Sequence, residues 1–189
     1  MDDVLEGLAD AWVKYLNLRH GTTVTYDDVT DWNLDKAFPE LTKEEVYAPL
    51  RERELWETVK PLPGAVEYLK KLVDDGHDVY IVTATNYYTV RDKMELVLFK
   101  YFPYINWNHV IIAQKKQMIQ GDILLDDNPN NLIGGKYCGI LMTAYHNKTY
   151  DAEANGLLRV DSWAEAYYAI KCYEEVNSSW RQILNKYKS

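Results

Sequence analysis

The chain has 189 residues, 47% of them hydrophobic and 26% charged, with a formal charge of −8. That length holds one sizeable core plus a small inserted subdomain, and the balance is that of a globular protein. The negative charge argues against a polyanion-binding face but leaves room for a mononucleotide in a local pocket. No apolar run reaches the roughly 18 residues of a membrane span, and no basic-then-apolar leader opens the chain.

Residues 5–19 place Leu5, Leu8, Ala9, Trp12, Tyr15, Leu16 and Arg19 at three- and four-residue spacing, which predicts an amphipathic helix ended by His20-Gly21. Residues 22–60 change character. They carry Thr, Asp and aromatic residues, then helical patterns over Thr42–Val59, where Thr42 and Glu45 fit a capping box. This segment reads as a small helical cap, with residues 1–21 and 61–189 forming the core. Pro61-Leu62-Pro63-Gly64 is the sharpest punctuation. Ala65–Asp75 resumes helical spacing and stops at Gly76.

The strands follow. His77–Thr83 is β-branched and apolar at its centre and reads as a buried parallel strand. Thr89–Tyr101 is helical, His109–Ala113 and Asp122–Asp126 are strands, and Gly139–Ala144 is a further one. The tail from Ser162 to about Lys186 is helical, with Ser162 as its N-cap. Strands alternating with helices predict an α/β fold, a Rossmann-like parallel sheet with helices on both faces. Cys138 and Cys172 lie in apolar contexts without CxxC spacing, so buried reduced thiols and a cytoplasmic location are expected.

In a parallel sheet, ligands bind at the carboxyl ends of the strands. Three features fall there in order, Thr83 ending VYIVT, Lys116 after HVIIA, and Asp126-Asp127 ending DILLDD, and Asp2 precedes them near the start. Each has a bland reading. A strand-end Thr is usually a turn residue, a lone Lys a solvated charge, an acid pair a surface turn. Together they suit a phosphate dianion: a lysine and a divalent cation offset its charge, and a hydroxyl donates to its oxygens. Two adjacent acids behind an apolar strand raise the cost of ionising both unless a cation is near.

Met1-Asp2-Asp3-Val4-Leu5 resembles the second half of the Asp-x-Asp-x-[Thr/Val]-[Leu/Val] motif of haloacid dehalogenase phosphotransferases. In that register Asp2 is the second aspartate. The first, the nucleophile, would lie one residue before Met1, after a strand that is central in the family's sheet. Residues 55–66 (LWETVKPLPGAV), 79–84 (VYIVTA), Lys116, 123–129 (ILLDDNP) and 143–147 (TAYHN) resemble the 5′(3′)-deoxyribonucleotidases more closely.

The resemblance implies a magnesium-dependent phosphatase that dephosphorylates nucleoside monophosphates through an aspartyl-phosphate. Asp2 would be the general acid/base and, through its carbonyl, a magnesium ligand. Thr83, the adjoining Ala84 and Lys116 would hold phosphate, and Asp126 and Asp127 would hold Mg2+. Cap aromatics led by Trp32 and Trp56, with Phe38 and Tyr47 behind them, would stack on the base; Asn86 and Arg91 lie within reach of the Thr83 end. Two departures stand out: Ala84 replaces a common Ser, and Gln114-Lys115 replace Arg and Asp before the lysine. The expected partner is a small-molecule phosphate monoester, with no nucleic-acid polymer and no membrane; a homodimer is allowed.

Other readings are a sugar or other small-molecule phosphatase on the same core, and an inactive phosphate- or nucleotide-binding relative lacking the nucleophile. For the start itself three readings stand: a start taken at an internal methionine, a first strand supplied by another chain or rebuilt, or a non-catalytic relative. Loss of a central strand would leave buried backbone groups unpaired at a cost of about 1–3 kcal/mol each.

Overall fold

The computed structural model describes residues 1–186, with side chains described as far as Val176. The chain opens with a tight turn. The Leu5 N–H donates to the Met1 carbonyl at 2.8 Å, and Asp3 takes a left-handed φ of 48°, which Asp tolerates better than most side chains. The Gly7 N–H donates to the Lys60 carbonyl at 3.0 Å. These bonds occupy residues 5–7, so α1 runs Leu8–His20 and starts later than the apolar spacing suggests. Asp3 Oδ1 accepts from the Ala9 N–H at 3.2 Å and so satisfies one of the free donors of the first turn. Gly21, at φ 70°, closes the helix in the left-handed region.

Residues 22–60 contain only helical elements: short 3₁₀ turns at Tyr26–Asp28 and Leu34–Ala37, then α2 (Lys43–Tyr47), a 3₁₀ turn at Ala48–Arg51 and α3 (Arg53–Thr58). The Thr42–Glu45 capping box forms in both directions. Pro49 splits the expected Thr42–Val59 helix, because it lacks the N–H to continue the ladder. Next come α4 (Ala65–Asp74), β1 (Ile81–Thr83), α5 (Val90–Lys93), a π-helical turn (Met94–Leu98) and α6 (Phe99–Tyr101). The second half holds β2 (Val110–Ile112), β3 (Gln120–Asp126), α7 (Pro129–Leu132), β4 (Lys136–Met142), β5 (Leu158–Val160) and α8 (Trp163–Lys186). Strand β5 is too short and too mixed in polarity to be read from the sequence. The Ser162 hydroxyl accepts from the Glu165 N–H at 3.2 Å, as an N-cap should.

All strand pairs are parallel, and the architecture is mixed α/β of the Rossmann-like kind. The strands fall into two sheets: β1-β2, and β3-β4-β5. Alternation along β3 and β4 feeds two cores. Ile123, Leu125, Ile140 and Met142 join the main cluster with α1, α4 and Trp163, whereas Leu124 and Leu141 pack with Leu132, Ala152 and Leu157 on the other face. β1 is shorter than the predicted His77–Thr83, since only Ile81–Thr83 find a partner in β2. The cysteines are free, but both are exposed rather than buried. Cys138 lies in the open first half of β4, ahead of its buried stretch Gly139–Met142, and Cys172 lies on α8 away from the buried Trp163 and Ala166.

Candidate active site

The carboxyl ends of β1 and β3 and the opening turn converge. Thr83 ends β1 and is buried. Its hydroxyl accepts from Lys93 Nζ at 2.9 Å. The same ammonium lies 2.5 Å from Asp2 Oδ1 and donates to Oδ2 at 2.6 Å. Lys93, at the end of α5, is only 1% exposed and sits 5.8 Å from the centre of the Trp56 ring. It therefore ties the second aspartate of the opening motif to the strand-end hydroxyl. The sequence reading names Arg91 near the Thr83 end and passes over Lys93, two residues on.

Glu6 is also hidden. It is fully buried, and backbone bridges link it to Asp2 and to Pro61. Burial, then the Asp2 charge, push its carboxyl well above the usual range, so as the neutral acid it donates to Asp2. Burial alone would raise Asp2 as well. The Lys93 ammonium, the Glu6 bond and the Met1 amine outweigh it and hold Asp2 well below the usual carboxylate range.

A second group sits at the end of β3. Lys116 Nζ donates to Asp126 Oδ2 at 2.5 Å, with both side chains buried. Asp126 Oδ1 accepts from the Asn128 N–H at 2.9 Å and from Asn131 Nδ2 at 3.0 Å. Both Asp126 oxygens are thereby engaged; burial would raise its pKa, but Lys116, the Met1 amine and Asn131 bring it down. The Met1 amine, itself lowered by burial and by Lys116, also feels Asp2, Glu6 and Asp126, which puts it between the two groups.

Asp127 differs. Burial first, then the charges of Asp126 and Asp3, push its carboxyl well above the ordinary value. Asp3 is pushed up to about 7, by burial and the Asp2 charge against the Ala9 N–H. The Asp127 carbonyl is held by Asn147 Nδ2 at 2.7 Å, and His146 Nε2 lies 3.4 Å from Asp127 Oδ2. Burial keeps His146 toward its neutral form. The Trp32 ring meets His146 edge-on at 4.8 Å. The helical segment 22–60 thus reaches the acid end of β3.

The remaining expected residues are more dispersed. Trp32 is 53% exposed, whereas Trp56 is buried and its indole N–H is already donated to the Leu50 carbonyl at 2.9 Å. Phe38 is buried as well, and the Tyr47 hydroxyl donates to Asp35. Ala84 and Asn86 are exposed in the loop after β1, where Asn86 Oδ1 accepts from the Tyr88 N–H. Arg91 faces Glu95 on the surface. Besides Lys93 and Glu6, sequence reasoning passed over Asp3, His146 and Asn147. Asp3 had a signal, being inside the opening motif; TAYHN contained His146 and Asn147 without marking either.

Among the described residues no set of three or more Asp, Glu, His or Cys side chains is arranged to hold a metal ion. The donors still suit magnesium, which takes one or two carboxylates and completes an octahedron with waters and substrate phosphate. Asp127, crowded by Asp126 and Asp3 and hard to ionise, is the carboxylate a cation would relieve most.

The family described as 5′ nucleotidase, deoxy (pyrimidine), cytosolic type C protein matches residues 1–175. The chain belongs to this family. A 5′(3′)-deoxyribonucleotidase of Clostridium acetobutylicum is 31% identical over 166 residues, covering 88% of this chain and 89% of the relative. One of Bacillus subtilis is 32% identical over 167 residues, covering 87% and 92%. Deoxyribonucleotidases are phosphoric monoester hydrolases of the 5′-nucleotidase type, and they act on nucleotide monophosphates. The crystal structure of a hydrolase from Pseudomonas syringae aligns with a TM-score of 0.49 at 16% identity, over 84% of this chain and 89% of that one. No helix among the described residues is long and apolar enough to cross a membrane.

Proposed function

We propose that this nucleotidase-family chain carries the site of a magnesium-dependent phosphatase acting on (deoxy)nucleoside monophosphates through an aspartyl-phosphate. The observation that carries the reading is the meeting of Asp2, Thr83, Lys116 and the Asp126-Asp127 pair around Met1, in a chain whose relatives are named deoxyribonucleotidases. Thr83 and the backbone beside Ala84 would bind phosphate oxygens. Lys116, anchored by Asp126, would offset their charge. The attacking carboxylate belongs one residue before Met1, within reach of the Lys116 field. Asp2 would give its proton to the leaving oxygen and later take one from the attacking water. An incoming phosphate dianion raises the proton affinity of Asp2, against the hold of Lys93.

Of the acid pair, Asp127 is the better metal ligand, because both oxygens of Asp126 are already engaged by Lys116, Asn128 and Asn131. Magnesium would supply charge neutralisation at the phosphoryl oxygens. Segment 22–60 would act as the cap, with Trp32 rather than Trp56 as its base contact. The exposed free thiols fit a reducing, cytoplasmic setting.

The second reading, a phosphate- or nucleotide-binding protein without turnover, is favoured by one observation: Lys93 already engages both Asp2 and Thr83. The experiment that separates them compares phosphate release from deoxynucleoside monophosphates, ribonucleotides and sugar phosphates, with and without Mg2+. It uses the chain as it is and the chain carrying an aspartate-ended strand ahead of Met1. Magnesium-stimulated release that prefers nucleotides is expected from the latter. Equal rates on sugar phosphates would refute the substrate class, and binding without release in both forms would establish the second reading.

A further inference from the structure

The groove between α4 and α6 reverses the charge of the chain locally. The protein carries −8 overall, yet this groove of about 590 Å3 is lined by Lys70, Lys71 and Lys100 against a single carboxylate, Glu67. Tyr101 and Tyr104 complete its walls. The Tyr104 hydroxyl donates to the Val66 carbonyl at 3.1 Å, which fastens the loop after α6 to the first turn of α4. The volume falls within the range of small-molecule sites, roughly 300–1,000 Å3. None of the residues gathered around Met1 lines it.

A fourth lysine reaches the same place. Lys60 Nζ donates to the Tyr101 hydroxyl at 3.2 Å and lies 5.9 Å from the centre of its ring. Lys100 Nζ lies 5.0 Å from the same centre. Burial would raise the Tyr101 phenol, but Lys60 and Lys100 outweigh it and bring it below its ordinary value, so the hydroxyl stands in a positive field. On α4, Lys71 pairs with Glu67 at 2.6 Å and Lys70 pairs with Asp74. Exposed pairs of this kind hold weakly, so both ammonium groups can turn to a stronger anion. Neither Lys60 nor Lys100 has a carboxylate partner among the described residues. Lys70 lies 5.8 Å from the centre of the Tyr104 ring. Ammonium groups thus already sit at both tyrosine rings, and what the groove offers a ligand is charge rather than stacking.

We infer that this groove binds an oligophosphate chain, with one phosphate group between Lys60 and Lys100 at the Tyr101 hydroxyl and the rest of the chain along Lys70 and Lys71. Each phosphate brings several acceptor oxygens to charged donors, and lysine meets it as a mobile point charge. Four ammonium groups drawn from three segments suit a run of linked phosphates rather than one. The chain can be inorganic or carried by a nucleoside, and the chemistry recognised is the same. The proposal stands whether or not the protein hydrolyses phosphate esters.

The probe is inorganic tripolyphosphate, titrated with a chelator present into the isotope-labelled 189-residue chain and followed by amide chemical shifts. Saturable shifts are expected at Lys60, Lys70, Lys71 and residues 100–104, with an affinity roughly tenfold or more above that of inorganic phosphate that falls as salt rises. Combining Lys60→Gln with Lys100→Gln, both surface positions, should weaken binding by roughly tenfold or more. A nucleoside triphosphate should move the same amides with the affinity of tripolyphosphate, and the bare nucleoside should move none of them. Shifts confined to the surroundings of Thr83 and Lys116, undiminished binding by the double variant, or equal binding of a hexaglutamate peptide would each overturn the proposal. So would shifts from the nucleoside alone, or binding of the nucleoside triphosphate but not of tripolyphosphate.

Discussion

Asp3→Asn isolates one charge with almost nothing else changed. Asn keeps the oxygen that accepts from the Ala9 N–H at 3.2 Å, and it tolerates the left-handed φ of 48°. What it removes is a carboxyl that is 8% exposed and pushed up from 3.8 to about 7 by burial and by Asp2. A raised acid favours the proton-bound form in the native state, so the native state binds more protons than the unfolded one between those two values. Stability is then full below the unfolded pKa, falls as pH rises, and the penalty is complete above about 7. At 1.36 kcal/mol per pKa unit, the gap is worth about 4 kcal/mol at full separation.

Urea unfolding of the parent and of Asp3→Asn at pH 4 and pH 8 reads this directly. The variant should match the parent at pH 4 and exceed it by about 2–4 kcal/mol at pH 8, with Glu6 and Asp127 leaving a common residual slope in both. A stability difference that does not change with pH would refute the reasoning, because it would mean that the Asp3 charge carries no penalty in the fold.

Lys93→Met should destabilise by about 3 kcal/mol in urea unfolding at pH 7, near the low end for a broken buried pair, since Asp2 keeps 33% of its side chain accessible. Adding Asp2→Asn should recover part of that loss, and a double-mutant cycle with no coupling would contradict the Lys93–Asp2 contact. Magnesium should raise the unfolding midpoint of the parent at pH 7.5 and lose that effect in Asp127→Asn; an unchanged magnesium response would remove Asp127 from the metal site. Trp56→Ala should cost about 3–5 kcal/mol of stability as a buried aromatic. Trp32→Ala should cost under about 1 kcal/mol and instead raise KM for nucleotides more than it lowers kcat in the Asp-supplied chain; the opposite pattern would exchange their roles.

The parallel α/β character was legible because β-branched runs such as Val79–Thr83 alternate with helical spacing, and Thr42–Glu45, Ser162 and Gly21 act as the caps their residue types predict. The division into two sheets was not legible, since it depends on which strand edges find a neighbour and no local pattern records that. The strand-end residues Thr83, Lys116 and Asp126-Asp127 stood out because polarity breaks an apolar run there. Lys93 and Glu6 did not, because a charged residue in a helical pattern reads as solvated until the fold closes over it. Their burial is a tertiary property, as is the exposure of Cys138 and Cys172, whose apolar neighbours pointed inward.

The most direct test of the central claim is phosphate release from deoxynucleoside monophosphates by the chain supplied with an aspartate-ended strand ahead of Met1, measured with Mg2+ and with a chelator. Saturable, magnesium-dependent release that Asp2→Asn abolishes is the predicted result. No release from any nucleotide by a folded preparation, or release that persists undiminished in Asp2→Asn, would contradict the account.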